Sequence, residues 1–159
     1  MNKRSAWFVA AILCLILSSC ASIQEIKKPP AFRLVDVSLS KGVDDNAPIA
    51  SPKDPASIFS PRDAEVVAFL TLKNVWGVHT LKWDWFDPKG NLYYSTGDYT
   101  IKSAEGKYLK EVTAWHKLSI RGEQAGKLLG DWTLNVYLDK EIVAVRKFTI
   151  VDEEKNNPS

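Results

Sequence analysis

The stretch Val78–Phe86 reads VHTLKWDWF and carries the clearest structural signal in the chain. Its apolar and polar positions alternate, so that each kind falls on its own side of an extended backbone: Leu81, Trp83 and Trp85 against Thr80, Lys82 and Asp84. Successive side chains of a β-strand point to opposite faces of its sheet. The stretch is therefore predicted to be a strand whose tryptophans lie in a core.

The same two-residue period continues on both sides of this stretch and predicts further strands. Val, Ile, Thr and aromatic residues are enriched in these runs, as β-strands favour. The predicted strands are Phe32–Leu39 with a slip of phase near Val35, Ala64–Lys73, Asn91–Ile101 with a bend at Gly97, Leu109–Arg121, Asp131–Leu138 and Glu141–Val151. About seven strands with turns every 8–12 residues predict an all-β antiparallel sandwich, with a small barrel as the alternative.

Proline, glycine and short polar residues mark the connections between these strands. Asp87–Asn91 is predicted to be a tight turn, and Asp139-Lys140 to join the last two strands as a hairpin. Residues 40–61 contain four prolines and are predicted to form one long loop. A weak helical period covers Glu123–Leu129.

The composition places the chain among ordinary globular proteins. It has 159 residues, 25% of them charged and 45% hydrophobic, with a formal net charge of +2. These values exclude collagen-like, low-complexity, disulfide-dense and mostly disordered classes, and the length indicates one domain. The small net charge gives no reason to expect a nucleic-acid partner.

The amino-terminal segment is predicted to be a signal peptide. A basic start that includes Lys3 and Arg4 precedes the apolar run Ala6–Leu17. That run is shorter than the roughly 20 residues of a membrane-spanning helix but fits the core of a secretory signal. The predicted organisation is a signal peptide over residues 1–19, a lipidated tether over 20–31, the sandwich over 32–152 and a disordered tail over 153–159.

Residues Leu17-Ser18-Ser19-Cys20 resemble the lipobox of bacterial membrane lipoproteins. The resemblance implies cleavage before Cys20, a diacylglyceryl thioether on its sulfur and an acyl group, such as palmitate, on its new amino terminus. Ala21 is not aspartate, which favours the outer membrane of a Gram-negative cell envelope, with the domain facing the periplasm. A plain signal peptide with a chance cysteine is the alternative. The lipid is the one covalent group expected, and no cofactor is predicted.

Cysteine usage agrees with lipidation. The chain has two cysteines, Cys14 and Cys20, and the first would leave with the signal peptide. The mature chain then has a single thiol at its start, so that no intramolecular disulfide can form. A lone thiol in an oxidising compartment is normally a liability, which acylation removes.

Three later segments resemble bacterial immunoglobulin-like sandwich domains, over roughly residues 58–151. They are the turn Asp87-Pro88-Lys89-Gly90, the strand from Gly130 to Asp139 that reads GDWTLNVYLD, and the return strand from Val143 to Phe148. The cysteine pair that joins the sheets of antibody-type domains is absent. The resemblance implies an immunoglobulin-like fold and by itself indicates no function.

Aromatic residues outside the predicted core are the candidate ligand-binding residues. Trp115 falls on the predicted outer face of its strand, and the other candidates for an exposed aromatic surface are Tyr93, Tyr99, Tyr137 and Trp76. Such a surface would bind a glycan or peptidoglycan. The alternative is that a bulge turns Trp115 into the core or that Trp115 packs under the long loop.

The sequence offers no catalytic or metal-binding motif. His79 and His116 are far apart in sequence and lack the spacing of a metal site, and no nucleophile motif accompanies the serines. The chain is therefore predicted not to be an enzyme. The favoured function is an interaction module that binds another envelope protein through a sheet edge or the 40–61 loop, with glycan binding as the alternative.

Overall fold

The computed structural model describes residues 31–46 and 49–152. The predicted signal peptide, Cys20, the tether as far as residue 30 and the tail 153–159 lie outside the described residues. In the described part of the chain, no helix is both long and apolar enough to cross a membrane.

The described residues form ten strands in two facing sheets. The first sheet has the order β2-β1-β4-β8. The second has the order β3-β10-β9-β5-β6, with β7 also paired to β5. The strands are β1 (Arg33–Asp44), β2 (Ser51–Pro55), β3 (Ile58–Phe59), β4 (Glu65–Trp76), β5 (Val78–Phe86), β6 (Leu92–Ser95), β7 (Tyr99–Lys102), β8 (Tyr108–Ser119), β9 (Gly130–Leu138) and β10 (Glu141–Ile150).

The neighbouring strands pair antiparallel, except for the short parallel contact between β3 and β10. The chain alternates between the sheets so that β1, β4 and β8 lie together, opposite β5, β9 and β10. This arrangement is an immunoglobulin-like β-sandwich, which confirms the predicted fold class.

Side-chain alternation explains why β5 and β9 lie at the centre of the second sheet. The apolar positions of β5 face the other sheet and are almost completely buried, at 2% exposure for Trp83 and 0% for Trp85. In β9, Trp132 and every second residue after it are buried in the same way. The predicted placement of these tryptophans in the core is correct.

The core between the sheets is filled mainly by aromatic rings. Trp132 stacks on Phe148 with ring centroids 5.9 Å apart, and Trp85 meets Phe148 edge-on at 6.0 Å. A tryptophan buries about 200 Å² on folding, which stabilises the fold by roughly 5 kcal/mol by area. No sulfur contributes to this packing, because Met1, Cys14 and Cys20 all precede the described residues. Apolar contact therefore joins the sheets without a disulfide.

The prediction of a single loop over residues 40–61 is wrong. β1 continues to Asp44, and both β2 and β3 fall inside this segment. In β2, Pro52 lies opposite Val43, and Pro55 lies opposite Ser40. Proline lacks an N–H but is tolerated in an edge strand, and β2 is at the edge of its sheet. The prolines therefore mark an edge strand here and not a loop.

The predicted strand over residues 91–101 is divided in two, near the bend predicted at Gly97. β6 and β7 both pair with β5, one beyond the other along that strand. Between them, the Thr96 N–H donates to the Trp83 carbonyl oxygen at 2.9 Å. The Trp83 N–H donates in turn to the Thr96 hydroxyl oxygen at 2.9 Å. This division, together with β2 and β3, raises the number of strands above the seven predicted.

The two predicted turns form as expected. The Asp87 carboxylate accepts the backbone N–H groups of Lys89 and Asn91, each at 2.9 Å. Asp139 and Lys140 join β9 to β10 with φ values of 51° and 70°, both in the left-handed region. That geometry suits a two-residue hairpin, because its twist matches that of the flanking strands.

Two weaker sequence signals also correspond to structure. The slip of phase near Val35 is a register shift in the β1–β4 pairing between Leu34 and Asp36. The weak helical period over Glu123–Leu129 contains a single turn of 3₁₀ helix, Ala125–Lys127.

Candidate functional site

The sandwich has an open side between β8, at the edge of the first sheet, and β6 and β7, at the edge of the second. Four rings meet along this opening, and we call them and the space beside them the aromatic cleft: Trp83, Tyr94, Tyr99 and His116. The His116 ring lies at its centre. Its centroid is 5.4 Å from that of Tyr94, nearly parallel to it, and 6.0 Å from that of Trp83.

His116 is positioned by a hydrogen bond that crosses from one sheet to the other. The indole Nε1–H of Trp85 donates to His116 Nδ1 at 3.1 Å. An indole nitrogen only donates, so Nδ1 must accept and the proton of the neutral ring lies on Nε2. Burial lowers the pKa of His116 below its ordinary value of 6.5, because the charged imidazolium is poorly solvated in this position.

A first cavity of about 250 Å³ opens on one side of His116. Its walls are mainly apolar and come from both sheets: Leu81, Trp83, Tyr99, Ile101, Ala114 and Trp115. Tyr99 is 52% exposed and meets Trp83 edge-on, with centroids 5.7 Å apart. The ring of Tyr99 therefore forms an accessible rim beside a buried indole.

A second cavity of about 290 Å³ lies further along β8. Its lining is more polar and includes Tyr93, Tyr94, His116, Lys117, Leu118 and Glu123. Tyr94 and His116, stacked face to face, form part of its wall. The cleft thus offers two adjacent recesses that differ in polarity.

Trp115 lies on the outer face of the first sheet, as the alternation of its strand predicts. Its ring stacks on Phe69 of β4 with centroids 5.9 Å apart and an interplanar angle of 7°. The side chain is 37% exposed, and no bulge interrupts the β4–β8 pairing around it. The alternative placement of Trp115 in the core is therefore wrong.

The structure brings three of the five predicted binding residues to the cleft. Trp115 and Tyr99 line the first cavity, and Tyr93 lines the second, where its ring also meets Trp132 edge-on at 5.1 Å. Trp76 and Tyr137 lie elsewhere. Trp76 stacks on Tyr108 with centroids 5.1 Å apart, near the start of β8.

Tyr137 belongs to a separate polar depression of about 180 Å³ on the outer face of the second sheet. The Lys82 ammonium group sits 4.8 Å from the centre of its ring and 3.0 Å from a carboxylate oxygen of Asp84. The hydrogen bond to Asp84 raises the pKa of Lys82, against the opposing effect of burial. One face of the Tyr137 ring is thus already occupied by a cation.

His79 lies away from the cleft, where the chain enters the domain. Its Nδ1 lies 2.6 Å from a carboxylate oxygen of Asp139, and its ring stacks on Phe32 at 4.6 Å. The Thr80 N–H donates to the other oxygen of the same carboxylate at 2.9 Å. Burial acts to raise the pKa of Asp139, but the hydrogen bonds from His79 and Thr80 lower it on balance.

Sequence reasoning missed Trp83, Tyr94 and His116 as residues of the cleft. Alternation places Trp83 and His116 on the apolar, inner faces of their strands, and it cannot show that the inner face of an edge strand opens to solvent. The adjacent pair Tyr93-Tyr94 is a signal that could have been used, because neighbouring residues of a strand cannot both be buried in one core. Among the described residues, no three His, Cys, Asp or Glu side chains lie close enough together to hold a metal ion.

Comparison with known proteins adds little beyond the fold. No family model and no curated protein matches the chain. An immunoglobulin-like protein from Pseudomonas aeruginosa is 12% identical, with a TM-score of 0.46 over 78% of this chain and 99% of that one.

A second similar structure is the alkylpurine DNA glycosylase AlkC of Pseudomonas fluorescens, bound to DNA containing an abasic site analog. It is 8% identical, with a TM-score of 0.47 over 76% of this chain. The match covers 30% of the glycosylase. At such identities the similarities concern the fold alone and assign no function.

Proposed function

We propose that the protein is a lipid-anchored, non-catalytic binding module of the bacterial cell envelope. Its anchor is an acylated Cys20, and its position is the periplasmic face of the outer membrane. The lipobox-like residues Leu17–Cys20, the small net charge and the absence of a catalytic motif in the sequence support this proposal. Two or more acyl chains suffice for stable attachment to a bilayer.

The partner we propose is another envelope protein, which inserts apolar side chains into the aromatic cleft. The observation that carries this proposal is the pair of adjacent cavities, lined by aromatic rings from both sheets, at an open edge of the sandwich. At about 250 and 290 Å³ each cavity is near the lower end of the roughly 300–1,000 Å³ of typical small-molecule pockets. Tyrosine and tryptophan are also the residues that most often dominate the energy of protein interfaces.

The anchor is tested by mass spectrometry of the full-length gene product expressed in a Gram-negative host. The expected mature chain begins at Cys20 and carries the mass of a diacylglyceryl group and an amide-linked acyl chain. The Cys20→Ser variant should keep its signal peptide or be cut elsewhere, and should leave the membrane fraction. A wild-type product without lipid would overturn the anchor and leave the cleft proposal to its own test.

The partner is tested by site-specific photo-crosslinking in living cells. A photoreactive phenylalanine analogue in place of Tyr99 or Tyr94 should give the same discrete protein adduct. The matched control is the analogue at Tyr137, a tyrosine on the outer face of the same sheet, and it should not give that adduct. An adduct of equal yield from all three positions, or from none, would reject the cleft as the binding surface.

Glycan binding is the second candidate, and the half-exposed Trp115 beside Tyr99 favours it. Its test is the retention of the full chain on insoluble peptidoglycan. Trp115→Ala should abolish retention if Trp115 is a sugar platform, whereas Tyr137→Ala should not. Equal retention of the wild type and the Trp115→Ala variant would reject this candidate.

A further inference from the structure

Strand β8 has a long edge available for pairing. It pairs with β4 over its full length from Tyr108 to Ser119, and the register is unbroken by a bulge. On its other side, no strand of the described chain pairs with it. It also contains no proline. Such an edge offers a row of backbone donors and acceptors with which another strand can pair, provided that its charged side chains, Lys110, Glu111 and Lys117, meet suitable partners.

The facing of its side chains restricts how a second copy of β8 could pair with the first. From Glu111 to Ser119, even-numbered residues such as Ala114 and Leu118 face the core, whereas odd-numbered residues such as Trp115 face outward. Residues directly opposite each other in an antiparallel pair lie on the same face. An antiparallel β8–β8 pair must therefore match even residues with even residues. One register that does so is centred on Ala114, which then faces its own copy.

Charge selects this register. Centred on Ala114, it places Glu111 directly opposite Lys117 of the second copy, twice by symmetry. Moving the second copy along the first by two residues, in either direction, places Glu111 opposite Trp115 or Ser119 instead. The register centred on Ala114 also places no two like charges opposite each other, because Lys110 then faces Leu118.

The neighbouring strand extends this complementarity. Within one copy, Lys73 Nζ lies 3.3 Å from a carboxylate oxygen of Glu111, and Lys117 Nζ lies 3.0 Å from one of Glu65. Pairing two copies would therefore align a row of four alternating charges across the junction: Lys73 and Glu111 of one copy, then Lys117 and Glu65 of the other. Opposite charges on adjacent strands stabilise a sheet, and like charges destabilise it.

We propose that the protein forms a twofold-symmetric homodimer through antiparallel pairing of β8 with β8 of a second copy, centred on Ala114. The axis is perpendicular to the first sheet, so that the two four-stranded sheets become one eight-stranded sheet. Both second sheets then lie on the same side, and the two aromatic clefts open into one groove whose floor is the paired β8 strands. This inference goes beyond the proposed function and holds whether or not the cleft binds a partner.

The test is the oligomeric state of the full chain, measured by analytical ultracentrifugation in a large excess of detergent micelles over protein. The wild type should sediment as a dimer. Glu111→Lys and Lys117→Glu each place like charges at both symmetric positions, and each should raise the dissociation constant by about tenfold or more. Lys147→Glu, an exposed charge change on β10, is the matched control and should remain dimeric.

Mixing the two variants gives the decisive result. In a heterodimer of Glu111→Lys with Lys117→Glu, lysine meets glutamate at both positions, so that dimers should return at concentrations at which each variant alone is monomeric. Circular dichroism of each variant checks that it is folded. If a variant is unfolded, the wild type is tested by hydrogen exchange, in which β8 amides should become protected as concentration rises. A monomeric wild type, or a mixture that stays monomeric, overturns the proposal.

Discussion

Trp85 of the second sheet donates its indole proton to His116 of the first, at 3.1 Å. The bond joins the two sheets at the inner end of the aromatic cleft. It requires an unprotonated Nδ1 on His116, so that the protonation state of this histidine is coupled to the packing of the core.

The first prediction is that stability falls in mild acid because of His116. Its pKa in the folded protein lies below 6.5, so the unfolded chain binds the proton more readily. The contribution of neutral His116 to the free energy of unfolding is therefore fully present above about pH 6.5. It is lost as the pH falls below that value towards the folded-state pKa. The Tm of the wild type, measured by thermal unfolding, should fall between pH 8 and pH 5. The Tm of His116→Gln should fall by less over the same range. An equal fall in both proteins would assign the effect to another group.

The second prediction separates the hydrogen bond of His116 from its charge. His116→Phe keeps an aromatic ring but leaves the buried Trp85 N–H without an acceptor. The loss should cost about 1–3 kcal/mol at pH 8, where His116 is neutral in both states. Urea unfolding measures this cost. His116→Gln should lose less, since its amide oxygen can accept, and a greater loss than in His116→Phe would contradict this explanation.

The third prediction contrasts two tryptophans of different burial. Trp132 is fully buried, so Trp132→Ala should cost about 3–5 kcal/mol. Trp115 is 37% exposed, so Trp115→Ala should cost less than Trp132→Ala, roughly 2 kcal/mol. Urea unfolding of the two variants under one condition gives the comparison. Equal destabilisation would place Trp115 in the core after all.

The fourth prediction concerns the hairpin residue Lys140, whose φ of 70° is unfavourable for any residue with a Cβ. Lys140→Gly should stabilise the protein by about 0.5–1 kcal/mol, because glycine adopts this conformation without strain. The matched control is Lys147→Gly in the regular strand β10, which should destabilise it. A loss of stability in Lys140→Gly would show that the side chain contributes more than the strain removes.

The fifth prediction concerns Asp139 in strong acid. Hydrogen bonds from His79 and Thr80 lower its pKa below 3.8 despite the opposing effect of burial. The contribution of Asp139 to stability is therefore present above about pH 3.8 and is lost as the pH falls through the folded-state pKa. Asp139→Ala should be less stable than the wild type at pH 7, and this difference should shrink by pH 2. A difference that is independent of pH would indicate that the charge plays no part.

The strands could be predicted where one face is buried and the other is exposed to solvent. β5 and β9 alternate cleanly, and their bounds follow from the sequence within about one residue. The segment 40–61 could not be predicted, because proline indicates a loop unless the strand is known to lie at an edge. Edge position depends on the order of the strands, which is a tertiary property.

The candidate site was partly predictable for the same reason. The outward direction of Trp115 follows from alternation within β8. The openness of the cleft does not, because it depends on β8 ending one sheet while β6 and β7 end the other. His116 illustrates the limit, since its apolar neighbours in sequence indicate a core residue, and only its partners Trp85 and Tyr94 place it at an opening.

The sulfur-free interior has a chemical consequence for where this protein can work. Peroxide and hypochlorous acid damage proteins first through thiols and thioethers, and residues 21–159 contain neither group. Folding likewise needs no thiol oxidase or disulfide isomerase, and reducing agents find no disulfide to reduce within the domain. The sandwich should therefore keep its shape unchanged as its surroundings swing between oxidising and reducing conditions.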